Sequence, residues 1–174
     1  PASATKGGLG SASLTLPNGV KVTALVAVNA VGEIVDSATG AVIAGVRGLE
    51  KGSYCSAVDV AVGLSDEDGP IGSNTTIGIV VTDAPLSKTD LKKIAEMAHD
   101  GFARAIRPVH TQFDGDTLFA VSTSTYDENV GAISHSGASL NSIGVAAAKV
   151  VEMAIIDGVT AAESLLGCVA SRDW

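Results

Sequence analysis

The chain has 174 residues, 46% of them hydrophobic but only 3% aromatic, with 20 glycines and a formal net charge of −8 from 19 acidic and 11 basic side chains. That length suits one compact domain, or two very small ones, with enough chain to bury a core. The core must be built from Ala, Val, Ile and Leu, because there are only three Phe, two Tyr and one Trp. The acidic balance argues against nucleic acid and anionic membrane surfaces as partners, and a mean hydropathy of +0.36 argues against disorder. Cys55 and Cys168 have no Cys or His neighbour at zinc spacing, so small buried or half-buried thiols are expected. No apolar run suits a membrane span: 143–156 is broken by Lys149 and Glu152, and 20–31 by Lys21 and Asn29. With no signal peptide visible, a cytoplasmic setting is expected. Pro1, standing where an initiating Met would, points to a piece of something longer.

In chain order, residues 1–19 are rich in Gly, Ser and Ala and contain the turn signal Pro17-Asn18-Gly19. Residues 20–28 are β-branched and half-alternating, which predicts a strand buried on at least one face. A short strand over 33–36 follows, with a turn at Thr39-Gly40. From 46 to 72 there is no steady period, and the acidic run Asp66-Glu67-Asp68-Gly69-Pro70 reads as a solvated loop and linker. The apolar stretch 74–82 predicts a central strand. Ser87 and Asp90 form a capping box ahead of Leu91, Ile94, Ala98, Phe102 and Ala105 at helical spacing, and Pro108 is expected to close that helix. A strand over 117–123 comes next. An Ala-rich buried helix is expected over 138–157, stopped by Gly158, then a short helix over 161–166 capped by Thr160 and Glu163. Strands precede the long helices without regular βαβ alternation. The fold class is therefore α+β, with helices on a mainly antiparallel sheet.

The most informative segment is Gly72-Ser73-Asn74-Thr75-Thr76-Ile77. An acidic loop runs into a buried strand with a hydroxyl residue at the junction, as N-terminal-nucleophile hydrolases require. There a Thr attacks the carbonyl before it, and the freed Thr carries both a nucleophilic hydroxyl and an amine base. The same residues also begin many ordinary strands. In Asp114-Gly115-Asp116, two carboxylates flank a glycine before a strand. They suit orienting an amine, sharing a proton or binding a divalent ion, or simply forming a polar turn. His99, His110 and His135 are scattered without ligand spacing and read as structural. Arg104 and Arg107 suit the helix dipole or a pairing with Asp100. Lys6-Gly7-Gly8-Leu9-Gly10 lacks the preceding strand and spacing of a phosphate loop. Asn29, ending the first predicted strand, suits an oxyanion donor or a plain strand terminus.

Taken in order, Lys6 to Ser13, Val26 to Gly32, Asn74 to Gly78, Thr82 to Leu86, Ala98 to Thr111 and Asp114 to Thr117 resemble the L-aminopeptidase/D-esterase family. That family includes β-peptidyl aminopeptidases and the nylon-oligomer hydrolase, and the likeness spans most of residues 4–124. The resemblance implies a four-layer α-β-β-α sandwich. Because the family carries a further upstream region, the sandwich is expected to be incomplete in this chain and to need an upstream segment or partner chain. It implies one domain, residues 1–174, cut between Asn74 and Thr75 into 1–74 (the C-terminal part of the α subunit) and 75–174 (the β subunit). Thr75 would be the nucleophile, Asn29 the oxyanion-stabilising residue and Lys6 a cation near the nucleophile. Asp114 and Asp116 would position the Thr and its amine. The implied activity is an aminopeptidase or amidase that releases small N-terminal residues from peptides, amides or esters, without cofactor or metal. The alternatives are an endo-hydrolase of ω-amino-acid oligomers, an acyltransferase using the same Thr, or a non-catalytic interaction module. A homo-oligomer of cleaved heterodimers is implied as well.

Overall fold

Half-alternating valines give the main sheet its two unlike faces. In a computed structural model, which describes residues 3–63, 74–127 and 139–174, β1 (Leu9–Thr15) and β2 (Lys21–Ala27) form an antiparallel hairpin with Leu9 opposite Ala27. The Pro17-Asn18-Gly19 turn closes it, with Gly19 at φ 90°. Val22, Ala24 and Val26 of β2 point into the core, while Lys21 and Leu25 point away. The elements that follow are β3 (Glu33–Val35), β4 (Val42–Ala44), β5 (Val46–Arg47), β6 (Tyr54–Cys55), α1 (Ala57–Ala61) and β7 (Ile77–Thr82). After these come α2 (Lys88–Ala105), β8 (Ile106–Arg107), β9 (Thr117–Ser122), α3 (Leu140–Thr160) and a 3-10 turn at Ser171–Asp173. The acidic run 66–70 lies outside the described residues.

The main sheet has the order β1-β2-β7-β9. Its first two pairings are antiparallel, as expected, but β7 and β9 run parallel with Ile77 opposite Thr117. A parallel pair needs a crossover, and α2 supplies it. This βαβ unit gives the one parallel pairing among the named strands, and the sheets are otherwise antiparallel as expected. A three-stranded antiparallel sheet, β4-β3-β8, contacts the same two long helices, and β5 pairs with β6.

One face of the main sheet packs on α2 and α3. Phe102, Ile94, Ile143, Val150, Val151 and Ile155 are fully buried there, so a single aromatic serves an otherwise aliphatic core. On the opposite face Leu9, Leu25, Ile77, Phe119 and Val121 are exposed, Phe119 at 62%. The described residues thus place one helix layer on one face of the main sheet and leave apolar side chains exposed on the other. Among the described residues, no helix is long and apolar enough to cross a membrane.

Three helix boundaries differ from expectation. Ser87 and Asp90 do cap α2 as a capping box, but the helix ends at Ala105 rather than running to Pro108. Ile106 and Arg107 are instead drawn into pairing with Ile34 and Glu33. α3 starts from Ser139 and runs through Gly158 to Thr160. Gly158 is a packing residue there: a methyl group on Gly10 of β1 would sit 2.6 Å from its Cα, so strand and helix meet backbone to backbone. The short helix over 161–166 does not form. The Thr160 hydroxyl donates to the Ile156 carbonyl at 2.8 Å, ending α3, and the chain turns through Leu166 and Gly167 at positive φ.

Candidate active site

The candidate site lies where β7 begins. Before Ile77 the chain keeps its register, with Asn74 bridged to Asp114. The Gly115 N–H donates to the Asn74 carbonyl at 3.1 Å, and the Thr117 N–H donates to the Thr76 carbonyl at 3.1 Å. On the other side, the Thr75 N–H donates to the Asn29 carbonyl at 3.0 Å, and the Asn29 N–H donates to the Thr76 hydroxyl at 3.4 Å. The Asn74–Thr75 peptide is therefore gripped through its C=O by the loop before β9 and through its N–H by the residues after β2. Thr75 is half-buried, and Thr76 is fully buried.

The two carboxylates act on different atoms. Asp116 Oδ1 accepts the Thr76 N–H at 2.9 Å. Asp114 Oδ2 accepts both the N–H and the hydroxyl of Thr111, each at 2.8 Å, and so ties off the turn that carries Gly115. Between them Gly115 lies against the nucleophile candidate: a methyl group there would sit 2.6 Å from Thr75 Oγ1. Lys6, Asn29 and Asn74 border one cavity of about 220 Å³ whose other walls include Val31, Ile34 and Val159. The Lys6 Nζ donates to the Gly7 carbonyl at 3.2 Å. Lys6, Asn29 and Asn74 thus share one cavity wall, Thr75 is tied to Asn29 through its N–H, Asp116 holds the next residue, Thr76, and Asp114 contributes through the turn.

Sequence spacing missed two features. Gly115 donates to the junction carbonyl and leaves no room for a Cβ beside the junction hydroxyl, yet reads in the sequence as a spacer between two acids. His99 Nδ1 and His110 Nε2 are 3.0 Å apart beside Phe102, because the chain doubles back after α2. His99 is held below the ordinary histidine value of 6.5 by burial and then by His110, with Asp116 and Asp100 pulling the other way. Eleven residues of separation give no sequence signal for such a pair. Among the described residues, no three His, Cys, Asp or Glu side chains converge on a place for a metal ion.

Comparison with known proteins adds to this geometry. The model of peptidase family S58 matches residues 2–172. An uncharacterized aminopeptidase of Mycobacterium tuberculosis is 39% identical over 182 residues, covering 99% of this chain and 53% of its own length. The 6-aminohexanoate-oligomer endohydrolase of Paenarthrobacter ureafaciens is 38% identical over 111 residues, 62% of this chain and 31% of its own. Among solved structures, the L-aminopeptidase D-Ala-esterase/amidase of Ochrobactrum anthropi, a variant of the Ntn-hydrolase fold, aligns over 97% of this chain and 46% of that one. Its TM-score is 0.58 at 20% identity, a likeness of fold. A Burkholderia β-aminopeptidase aligns over 91% of this chain and 43% of that one, with a TM-score of 0.50 at 24% identity. The chain spans about half the length of the curated relatives it matches. On the match over nearly its whole length, the chain belongs to peptidase family S58.

Proposed function

We propose that this chain carries the nucleophile of a self-cleaving amide hydrolase, an aminopeptidase or amidase that releases small N-terminal residues from peptides, amides or esters. The observation that carries the reading is the doubly held Asn74–Thr75 peptide beside the cavity bordered by Lys6 and Asn29. Thr75 Oγ1 attacks the Asn74 carbonyl carbon, the C–N bond breaks, and the hydroxyl proton passes to the leaving nitrogen. Water then hydrolyses the ester, leaving a carboxylate on Asn74 and a free amine on Thr75. That amine has a reference pKa of about 7.7–8.0, close to working pH, so it serves as base for its own hydroxyl.

In turnover, Asn29 supplies an oxyanion donor and Lys6 a nearby cation that favours the neutral amine. Asp116 fixes the backbone after Thr75, and Asp114 fixes the loop that faces it. The small, mostly apolar cavity suits an uncharged residue of modest size. An upstream segment or partner chain, assembly as an oligomer of cleaved heterodimers and a cytoplasmic setting belong to the same proposal. The setting is supported by two free, half-buried cysteines.

A second reading is endo-hydrolysis of ω-amino-acid oligomers, favoured by the likeness to the 6-aminohexanoate-oligomer endohydrolase. A panel of amides with free and blocked amino termini separates the two. The aminopeptidase reading expects hydrolysis of free-amine substrates only, abolished by Thr75→Ala. Equal rates on blocked substrates would favour the endo reading, and turnover unchanged in Thr75→Ala would remove Thr75 from both.

A further inference from the structure

We infer that the main-chain N–H of Gly115 is the oxyanion donor of the self-cleavage step, which makes Gly115 a catalytic residue of that reaction. The inference rests on the self-cleavage reading above. When Thr75 Oγ1 adds to the Asn74 carbonyl carbon, negative charge develops on the Asn74 oxygen, the atom to which the Gly115 N–H already donates at 3.1 Å. An oxyanion hole requires a donor within about 2.7–3.1 Å of the position the oxyanion takes, and the Gly115 N–H already stands 3.1 Å from the carbonyl oxygen before attack, on the atom where the charge will form. The charge persists until the C–N bond breaks and the hydroxyl proton reaches the Thr75 nitrogen. That nitrogen stays anchored by its N–H to the Asn29 carbonyl at 3.0 Å, so the carbonyl is held on one side and the leaving group on the other.

The donor is fixed before the reaction starts. Asp114 closes the turn on its N-terminal side by accepting twice from Thr111. On its C-terminal side Asp116 accepts the Thr76 N–H at 2.9 Å, and the Gly115 carbonyl accepts the Thr117 hydroxyl at 3.1 Å. Both acids flanking Gly115 are thus engaged in holding its peptide groups still, which is how a main-chain donor avoids reorganisation in the transition state. The residue must also be glycine, because a methyl group would sit 2.6 Å from Thr75 Oγ1 and turn the nucleophile away.

The test replaces single peptide N–H groups by ester oxygens in the full chain and follows appearance of the 75–174 fragment by intact mass over time. With glycolic acid at position 115 the donor is lost and no atom is added against Thr75. Cleavage should slow about 100- to 1,000-fold. The same replacement at Thr123 removes an equivalent main-chain bond, to the Thr82 carbonyl at 2.9 Å and remote from the junction, and should leave the rate within about threefold of wild type. Gly115→Ala, with folding followed by circular dichroism, should also block cleavage in a folded chain. If wild type cleaves and the 115 ester cleaves equally fast, or if both esters slow alike, the Gly115 assignment is overturned while self-cleavage stands. A wild-type chain that never cleaves overturns both.

Discussion

The main-chain nitrogen of Thr75 donates to the main-chain carbonyl of Asn29 across 3.0 Å. This bond gives Asn29 two separable jobs. In the proposed reaction its carbonyl anchors the nitrogen that would become the catalytic amine, whatever side chain the residue carries, while its side-chain amide would serve a substrate oxyanion at the cavity Asn29 borders. Asn29→Ala should therefore lower kcat for amide substrates by about 100-fold or more. Its self-cleavage should stay within about tenfold of wild type, because the Gly115 N–H serves that step. Turnover is read with a chromogenic amide and cleavage by gel. Loss of both to the same degree would contradict the division.

Asp116 offers a test of positioning. Its Oδ1 takes the Thr76 N–H at 2.9 Å in a half-buried setting. Asp116→Ala leaves that donor without its partner and should cost about 1–3 kcal/mol of stability as well as slowing cleavage. Asp116→Asn keeps an oxygen acceptor and should recover most of the stability. Chemical denaturation of both variants checks this, and equal loss in the two would point to charge rather than the hydrogen bond.

The approach of β1 to α3 is a packing prediction. A methyl group on Gly10 would meet the Gly158 Cα at 2.6 Å and also crowd the Ala154 carbonyl, both of them backbone that cannot swing aside. Gly10→Ala should destabilise by about 1–3 kcal/mol. Since about 1 kcal/mol moves the Tm of a domain this size by about 2–4 °C, calorimetry resolves the effect. An unchanged Tm would mean that strand and helix do not meet so closely.

The histidine pair predicts a pH dependence of stability. Burial, then His110, holds His99 below 6.5 in the folded chain. Between that lowered value and about 6.5 the unfolded chain binds more protons than the folded one, so stability is full above about pH 6.5 and falls as the pH drops below it. His99→Gln removes this proton uptake. From about pH 7.5 to about pH 5 its Tm should decline less steeply than that of wild type. Parallel curves would show that His99 does not carry the dependence.

What the sequence revealed, and what it hid, follows from the range of the forces involved. The Ser87–Asp90 capping box and the alternating valines of β2 are local, and both stand in the structure where the residues suggest. The Asn74-Thr75-Thr76 junction was legible as the entry to a strand, and its chemical reading came from motif likeness rather than from periodicity. The rest depends on contacts distant in sequence. The parallel β7–β9 pairing, the extraction of Ile106 and Arg107 from the end of a helix and the meeting of His99 with His110 are settled by tertiary packing. Gly158 misled because glycine marks both helix ends and close backbone approaches, and only the position of β1 distinguishes the two. Gly115 was invisible for the same reason: its importance lies in what stands 3.1 Å from its nitrogen.

The proposed function requires that the chain cut itself at the Asn74–Thr75 bond. Intact mass of the purified protein under denaturing conditions, with N-terminal sequencing, tests it directly. Self-cleavage predicts a fragment of residues 75–174 that begins Thr75-Thr76-Ile77, a remainder ending at Asn74, and a single uncut chain in Thr75→Ala. A wild-type chain that remains whole, or a Thr75→Ala chain cut at the same bond, would contradict it.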